Sequence, residues 1–168
     1  MNIVLIGFMG SGKTTVGKAL ANNLKFSFLD TDEYIEERAR MKISDIFATQ
    51  GEKYFRELER SILGELTDRD HTVIATGGGL PLIEENRKRL KKIGKVIYLS
   101  ANEQTLWKHL EGDCSRPLLA GENPRKKIQE LLLERIPIYR QASDYCIEVD
   151  NRCIDEISKE IEKIVKSA

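Results

Sequence analysis

The chain has 168 residues, with 27 basic residues against 27 acidic ones and a formal charge of zero. That length can bury a sizeable core within one domain of ordinary size, and the charge balance excludes the basic footprint of a nucleic-acid-binding protein. No apolar run approaches membrane-spanning length, and Cys114, Cys146 and Cys153 follow neither a C-x-x-C nor a metal spacing, which fits free thiols in a reducing compartment. Met1 leads almost directly into the first apolar run, leaving no room for a leader. The expectation is a soluble, cytoplasmic chain with neither nucleic acid nor membrane as partner.

Ile3 to Ile6 read as a short buried strand. Gly7-Phe8-Met9-Gly10-Ser11-Gly12-Lys13-Thr14 follows, matching G-x-x-x-x-G-K-[ST]. Val16, Ala19, Leu20 and Leu24 then recur at helical spacing, so the order is strand, glycine loop, helix. This pattern suits a polyphosphate. Glycines let backbone N–H groups converge on it, and the helix N-terminus adds partial positive charge. The candidate polyphosphate-binding residues are Gly10, Ser11, Gly12, Lys13, Thr14 and Thr15. Lys13 is expected at the β- and γ-phosphates, and the Thr14 hydroxyl on Mg²⁺.

A second strand, Ser27 to Leu29, ends at Asp30-Thr31-Asp32. The carboxyl end of a parallel strand is where ligands bind, so these acids are expected beside the phosphate loop. Thr31 or Asp32 could also cap a helix beginning at Glu33. Two short helices follow over 33–40 and 44–50, with Ser44 as an N-cap and Gly51 as a stop. The next helix, about 52–66, has an apolar stripe of Phe55, Leu58, Ile62 and Leu66. Glu59 sits among Phe55, Ile62 and Leu63 and needs a partner, which Arg56 at i−3 can supply.

A third strand, Thr72 to Ala75, runs into Thr76-Gly77-Gly78-Gly79, where three glycines suggest close backbone approach to a ligand. A helix over 84–92, a strand over 95–99 and a helix over 103–110 come next. The loop 112–124, punctuated by Gly and Pro, carries Arg116 and reads as a lid with a charge clamp. A helix from Pro124 should kink or end at Pro137. A fifth strand (145–149) and an amphipathic helix with Ile154, Ile157, Ile161, Ile164 and Val165 complete the chain. Strands alternating with helices predict an α/β fold with a mostly parallel sheet.

Six segments in this order resemble the shikimate kinases: Gly7–Thr14, Asp30-Thr31-Asp32, Phe55–Glu59, Gly77-Gly78-Gly79, Arg116-Pro117-Leu118-Leu119 and Arg135-Ile136-Pro137-Ile138-Tyr139. The resemblance spans essentially the whole chain. It implies a single three-layer P-loop kinase domain over residues 1–168, with a five-stranded parallel sheet in order 2-3-1-4-5 and helices on both faces. Substrate-binding helices would span about 33–60 and a lid about 112–123. It further implies ATP as co-substrate with Mg²⁺, and shikimate as acceptor of the γ-phosphoryl group at its 3-hydroxyl. Asp32 would be the catalytic base, with Lys13 and Arg116 on the phosphates and Asp30 on the metal side beside Thr14. Arg56 and Arg135 would hold the shikimate carboxylate, and Gly77, Gly78 and Gly79 would line the ring. At adenine the chain departs from the family pattern. His109 stands where an arginine is usual, and the stretch at Asn151-Arg152 lacks a common proline. His109 and Arg152 are the adenine-side candidates, and a monomer is the expected state.

Two other readings fit parts of the pattern. One is another small-metabolite kinase of this architecture, such as a gluconate kinase, against which the Arg56/Arg135 pair and the glycine triplet speak. The other is an inactive nucleotide-binding domain, which intact Lys13, Asp32 and Arg116 oppose. No N-K-x-D base-reading motif is present, which argues against a GTPase.

Overall fold

The apolar run Ile3–Ile6 forms β1, and all four of its residues are buried. In the computed structural model, which describes residues 1–111 and 121–168, β1 is the middle strand of a five-stranded parallel sheet, order β2-β3-β1-β4-β5. β3 (Thr72–Ala75) and β4 (Lys95–Ser100) flank it and are also buried along their central residues. The edge strands β2 (Ser27–Asp30) and β5 (Tyr145–Glu148) are partly exposed. Continuous apolar runs in the centre and mixed runs at the edges are what a sheet covered on both faces requires. The order and parallel pairing agree with the expected fold.

Helices cover both faces. α1 (Lys13–Leu24) packs against β3 and against α7 (Ile154–Ser167), whose Ile157, Ile161 and Val165 are buried. α4 (Glu84–Ile93) and α6 (Pro124–Ala142) pack on β4, and α5 (Glu103–Leu110) lies against α6. α2 (Thr31–Ala39) and α3 (Ile43–Leu66) form a small second core through Ile35, Ile46, Phe55 and Ile62. Gly51 bends α3, at φ 84° and ψ 169°, so the expected stop is a sharp bend between two helical halves. Among the described residues no helix is long and apolar enough to cross a membrane.

Three local expectations are corrected. The helix after β2 begins at Thr31, and its cap is Asp30, whose carboxylate accepts from the N–H groups of Asp32 and Glu33. Neither Thr31 nor Asp32 serves as that cap. Ser44 does not cap α3. The helix begins one residue earlier, and the Glu36 carboxylate takes the Ile43 N–H at 3.0 Å from a neighbouring helix. Pro137 does not end α6, which continues to Ala142. A proline frees the carbonyl four residues earlier. That residue is Leu133, and both it and Pro137 are exposed, so the proline lies on the solvent side of the helix. The expected lid, 112–123, falls largely on 112–120, outside the described residues, and Arg116 and Cys114 lie there.

Candidate active site

The phosphate loop joins β1 to α1 as the motif requires. Gly12, at φ 91° and ψ 16°, is the residue before α1, in the left-handed region where a side chain is strained. Ser11 and Lys13 are buried in the loop. The Lys13 ammonium donates to the carbonyls of Gly7 at 2.8 Å and Phe8 at 2.9 Å, which holds its stem along the loop. Thr14 and Thr15 open the first turn of α1.

Asp30, Thr31 and Asp32 face three ways. The Asp30 carboxylate caps α2 and accepts from the Thr14 hydroxyl at 2.6 Å, tying the strand-end acid to the phosphate loop. Thr31 is fully buried, and its hydroxyl accepts the Gly77 N–H at 2.9 Å. Asp32 points at the glycine turn, because a Cβ on Gly77 would lie 2.7 Å from its Oδ1. Asp30 and Thr14 also fit a Mg²⁺ ion. The described residues include no cluster of three or more His, Cys, Asp or Glu able to hold a metal. Mg²⁺ needs none, since it keeps several waters and takes one or two protein oxygens plus substrate phosphates.

The glycine triplet is a wall against which charged side chains rest. On Gly79 a Cβ would come within 2.5 Å and 2.6 Å of the Arg56 guanidinium nitrogens, and on Gly77 within 3.3 Å of Glu59 Oε2. Gly78 lies on the phosphate loop, where a Cβ would sit 3.2 Å from the Met9 nitrogen. Any side chain here would displace the site's own charged groups or backbone.

Arg56 donates to Glu59 at 2.5 Å and more distantly to Glu52 at 3.4 Å. Glu59 is fully buried, and its second oxygen has no hydrogen-bond partner. Burial pushes its carboxyl up to about 7, against the charge and hydrogen bond of Arg56, while Asp32 and Glu52 push the same way as burial. On α6, Arg135 is buried, lies over the Phe8 ring at 5.4 Å, and has one guanidinium nitrogen, Nη1, without a hydrogen-bond partner. One turn later, the Tyr139 hydroxyl donates to the Gly78 carbonyl at 2.6 Å. Both Arg56 and Arg135 act electrostatically on that hydroxyl, so the two cations converge on one region from α3 and α6.

The adenine-side candidates are placed differently. Nδ1 of His109 lies 2.7 Å from the Gly10 carbonyl. A carbonyl only accepts, so Nδ1 carries the proton and the ring is tied to the phosphate loop. Arg152 donates to the Glu148 carbonyl at 2.9 Å and pairs with Glu160, at the end of β5. Sequence reasoning had no means to find the Thr31–Gly77 and Tyr139–Gly78 contacts. Their partners are 46 and 61 residues apart, and the available signals were a threonine between two acids and a tyrosine one turn beyond Arg135.

The sequence model of a family described as shikimate kinase matches residues 9–166. The chain belongs to the shikimate kinase family. It is 47 % identical to a shikimate kinase of Thermodesulfovibrio yellowstonii over 98 % of this chain and 93 % of that protein. It is 46 % identical to one of Caldanaerobacter subterraneus subsp. tengcongensis, covering 95 % and 93 % respectively. Among solved structures, a shikimate kinase from Acinetobacter baumannii in complex with shikimate superposes with a TM-score of 0.95 at 41 % identity, over 99 % of this chain and 93 % of that one. A gluconokinase from Sinorhizobium meliloti, with a TM-score of 0.62 at 19 % identity and coverage of 99 % and 94 %, shares the fold.

Proposed function

We propose that this chain transfers the γ-phosphoryl group of ATP to the 3-hydroxyl of shikimate, giving shikimate 3-phosphate and ADP, with residues 1–168 acting as one kinase domain. The observation that carries the reading is the convergence of two guanidinium groups, Arg56 against Gly79 and Arg135 beside the Tyr139 hydroxyl that bonds Gly78. Arg56 is fixed there by Glu59, and buried Arg135 has a nitrogen without a partner. A planar carboxylate matches such a group in a way a hydroxyl does not.

Each residue then has a physical task. Gly10, Ser11, Gly12, Lys13, Thr14 and Thr15 cradle the ATP phosphates at the N-terminus of α1. Arg56 and Arg135 hold the acceptor carboxylate, and the backbone of Gly77, Gly78 and Gly79 bounds the ring. Asp32, facing that wall, accepts the proton of the attacking hydroxyl as its oxygen bonds the γ-phosphorus and the bond to the ADP oxygen breaks. Bound Mg²⁺ would neutralise phosphate charge. The Thr14 hydroxyl would ligate it, and Asp30 would order its waters. Arg116 is assigned to the phosphates on its sequence motif alone, and His109 and Arg152 to the nucleotide side. A cytoplasmic location, read from cysteine usage and composition, and a monomeric state complete the proposal.

A coupled ADP-release assay against a panel of hydroxy acids tests this. Turnover should appear with shikimate and be at least about tenfold lower in kcat/KM with gluconate, a gap of about 1.4 kcal/mol. Equal or greater turnover with gluconate would overturn the acceptor assignment.

A further inference from the structure

We propose that Tyr139 is a positioning residue for the acceptor pocket: its hydroxyl fixes the Gly78–Gly79 backbone relative to Arg135 and the phosphate loop. This rests on the acceptor site described under Proposed function and adds a residue to which that reading gives no part.

The geometry of the turn supports it. Three successive glycines have more backbone freedom than any other tripeptide, so this turn stands where its tethers hold it. Gly77 is held through its N–H by Thr31. Gly78 is held through its carbonyl by Tyr139 at 2.6 Å, at the short end for an O–H···O bond. The other side of Gly78 rests on the phosphate loop, against Met9 N and Gly7 O. One peptide unit thus meets the acceptor helix on one side and the ATP loop on the other.

The tyrosine is itself held firmly. It is fully buried, and its ring lies 5.2 Å from that of Tyr98 at an interplanar angle of 33°. It follows Arg135 by four residues, so the two share one face of α6. The hydroxyl therefore sets the distance between the turn and the helix that presents Arg135. Burial also raises it to about 12, against the pull of Arg135, so it remains a proton donor across the working range.

Tyr98 supplies the control. It is the other ring of the same stack and is equally buried, but it is hydrogen-bonded toward Ser100, not the glycine turn. Tyr139→Phe removes both the bond to the Gly78 carbonyl and the side-chain hydrogen bond to Arg135, and losing hydrogen bonding of this kind corresponds to about a two- to tenfold change. Tyr139→Phe should raise the shikimate KM within that range and leave the ATP KM unchanged. Tyr98→Phe should leave both unchanged, even where it lowers Tm. If Tyr139→Phe is too unstable for steady-state work, the rise in Tm on adding shikimate reports the same affinity. That rise should be smaller in Tyr139→Phe than in wild type and full in Tyr98→Phe. An unchanged shikimate KM or Tm rise in Tyr139→Phe, or an equal change in Tyr98→Phe, would overturn the proposal. Arg135→Lys separates it from the underlying reading. A raised shikimate KM there, with none in Tyr139→Phe, removes the positioning role alone, whereas no change in either removes the carboxylate site.

Discussion

Glu59 and Arg56 stand one helical turn apart on α3 and are buried unequally. The Glu59 side chain is fully enclosed, while that of Arg56 keeps 18 % of its surface exposed. The carboxylate grips the guanidinium from inside the protein, so the open side of Arg56 is aimed by a group that never meets solvent. An exposed pair of this spacing would contribute little. Here the pair fixes where a cation stands.

The unequal burial gives a signature in pH. Glu59 titrates near 4.5 when exposed and near 7 in the fold. Over that interval the unfolded chain releases a proton that the folded chain retains. The Glu59 contribution is therefore most favourable below 4.5, declines as pH rises to about 7, and is level above it. At 1.36 kcal/mol per unit the decline is about 3 kcal/mol. Glu59→Gln should lack it. Urea unfolding of both proteins at about pH 5 and about pH 8 should show the difference moving in favour of the mutant by roughly 2–3 kcal/mol. An equal difference at both pH values would mean that Glu59 ionises like a surface residue.

Gly79→Ala tests the wall. Gly79 has an ordinary φ of −88°, so the backbone accepts alanine. The new methyl would collide with the Arg56 guanidinium, the movable end of a long side chain. Stability should change by less than about 1 kcal/mol, while the shikimate KM rises roughly tenfold or more. ATP KM should stay at the wild-type value. Large unfolding, or an unmoved acceptor KM, would show that Arg56 does not rest on Gly79.

Asp32→Asn preserves size and removes the proton acceptor. General-base contributions run about 10²–10⁴-fold, so kcat should fall by that order while ATP binding persists. A decrease below roughly threefold would leave Asp32 with its place in the first turn of α2 and no role as base.

His109→Ala removes the bond to the Gly10 carbonyl. A neutral hydrogen bond corresponds to about two- to tenfold in affinity, and the change should appear in the ATP KM alone. An unaltered ATP KM would make His109 a solvated helix residue. A matching rise in the shikimate KM would show that the loop conformation governs both substrates.

Much of the architecture was legible because its signals are local. The run Ile3–Ile6 is apolar at every position, as only a doubly covered strand must be, and the loop after it carries its chemistry in consecutive residues. Glu59 was legible as a misfit, a carboxylate on an apolar stripe with one arginine in reach. What sequence did not reveal depends on partners distant along the chain. Ser44 was the obvious local cap for α3, but the Glu36 carboxylate arrives from α2 and takes the Ile43 amide. Pro137 carries a strong local helix-ending signal, yet α6 runs through it to Ala142, with Pro137 and Leu133 both on its exposed side. Tyr139 enters the sequence reading only as the last residue of the segment that begins at Arg135, and nothing nearby announces a glycine carbonyl 61 residues away.

The strand order also bears on how the chain is made. β1 pairs with β3 and β4 and never with β2, its neighbour in sequence. Its first ladder, in which Val4 stands opposite Ile74, cannot close until β3 has left the ribosome. At about 5–20 residues per second, synthesis of that stretch takes on the order of 4–15 s. For that time Ile3 to Ile6, the most completely buried segment of the finished enzyme, emerge as an unpaired apolar strand. The same placement that later holds the phosphate loop at the centre of the sheet leaves this strand without its partner while the nascent chain grows to β3. Slowing translation before residue 72 should lengthen that exposure and increase aggregation, with no change in the stability of the molecules that do fold.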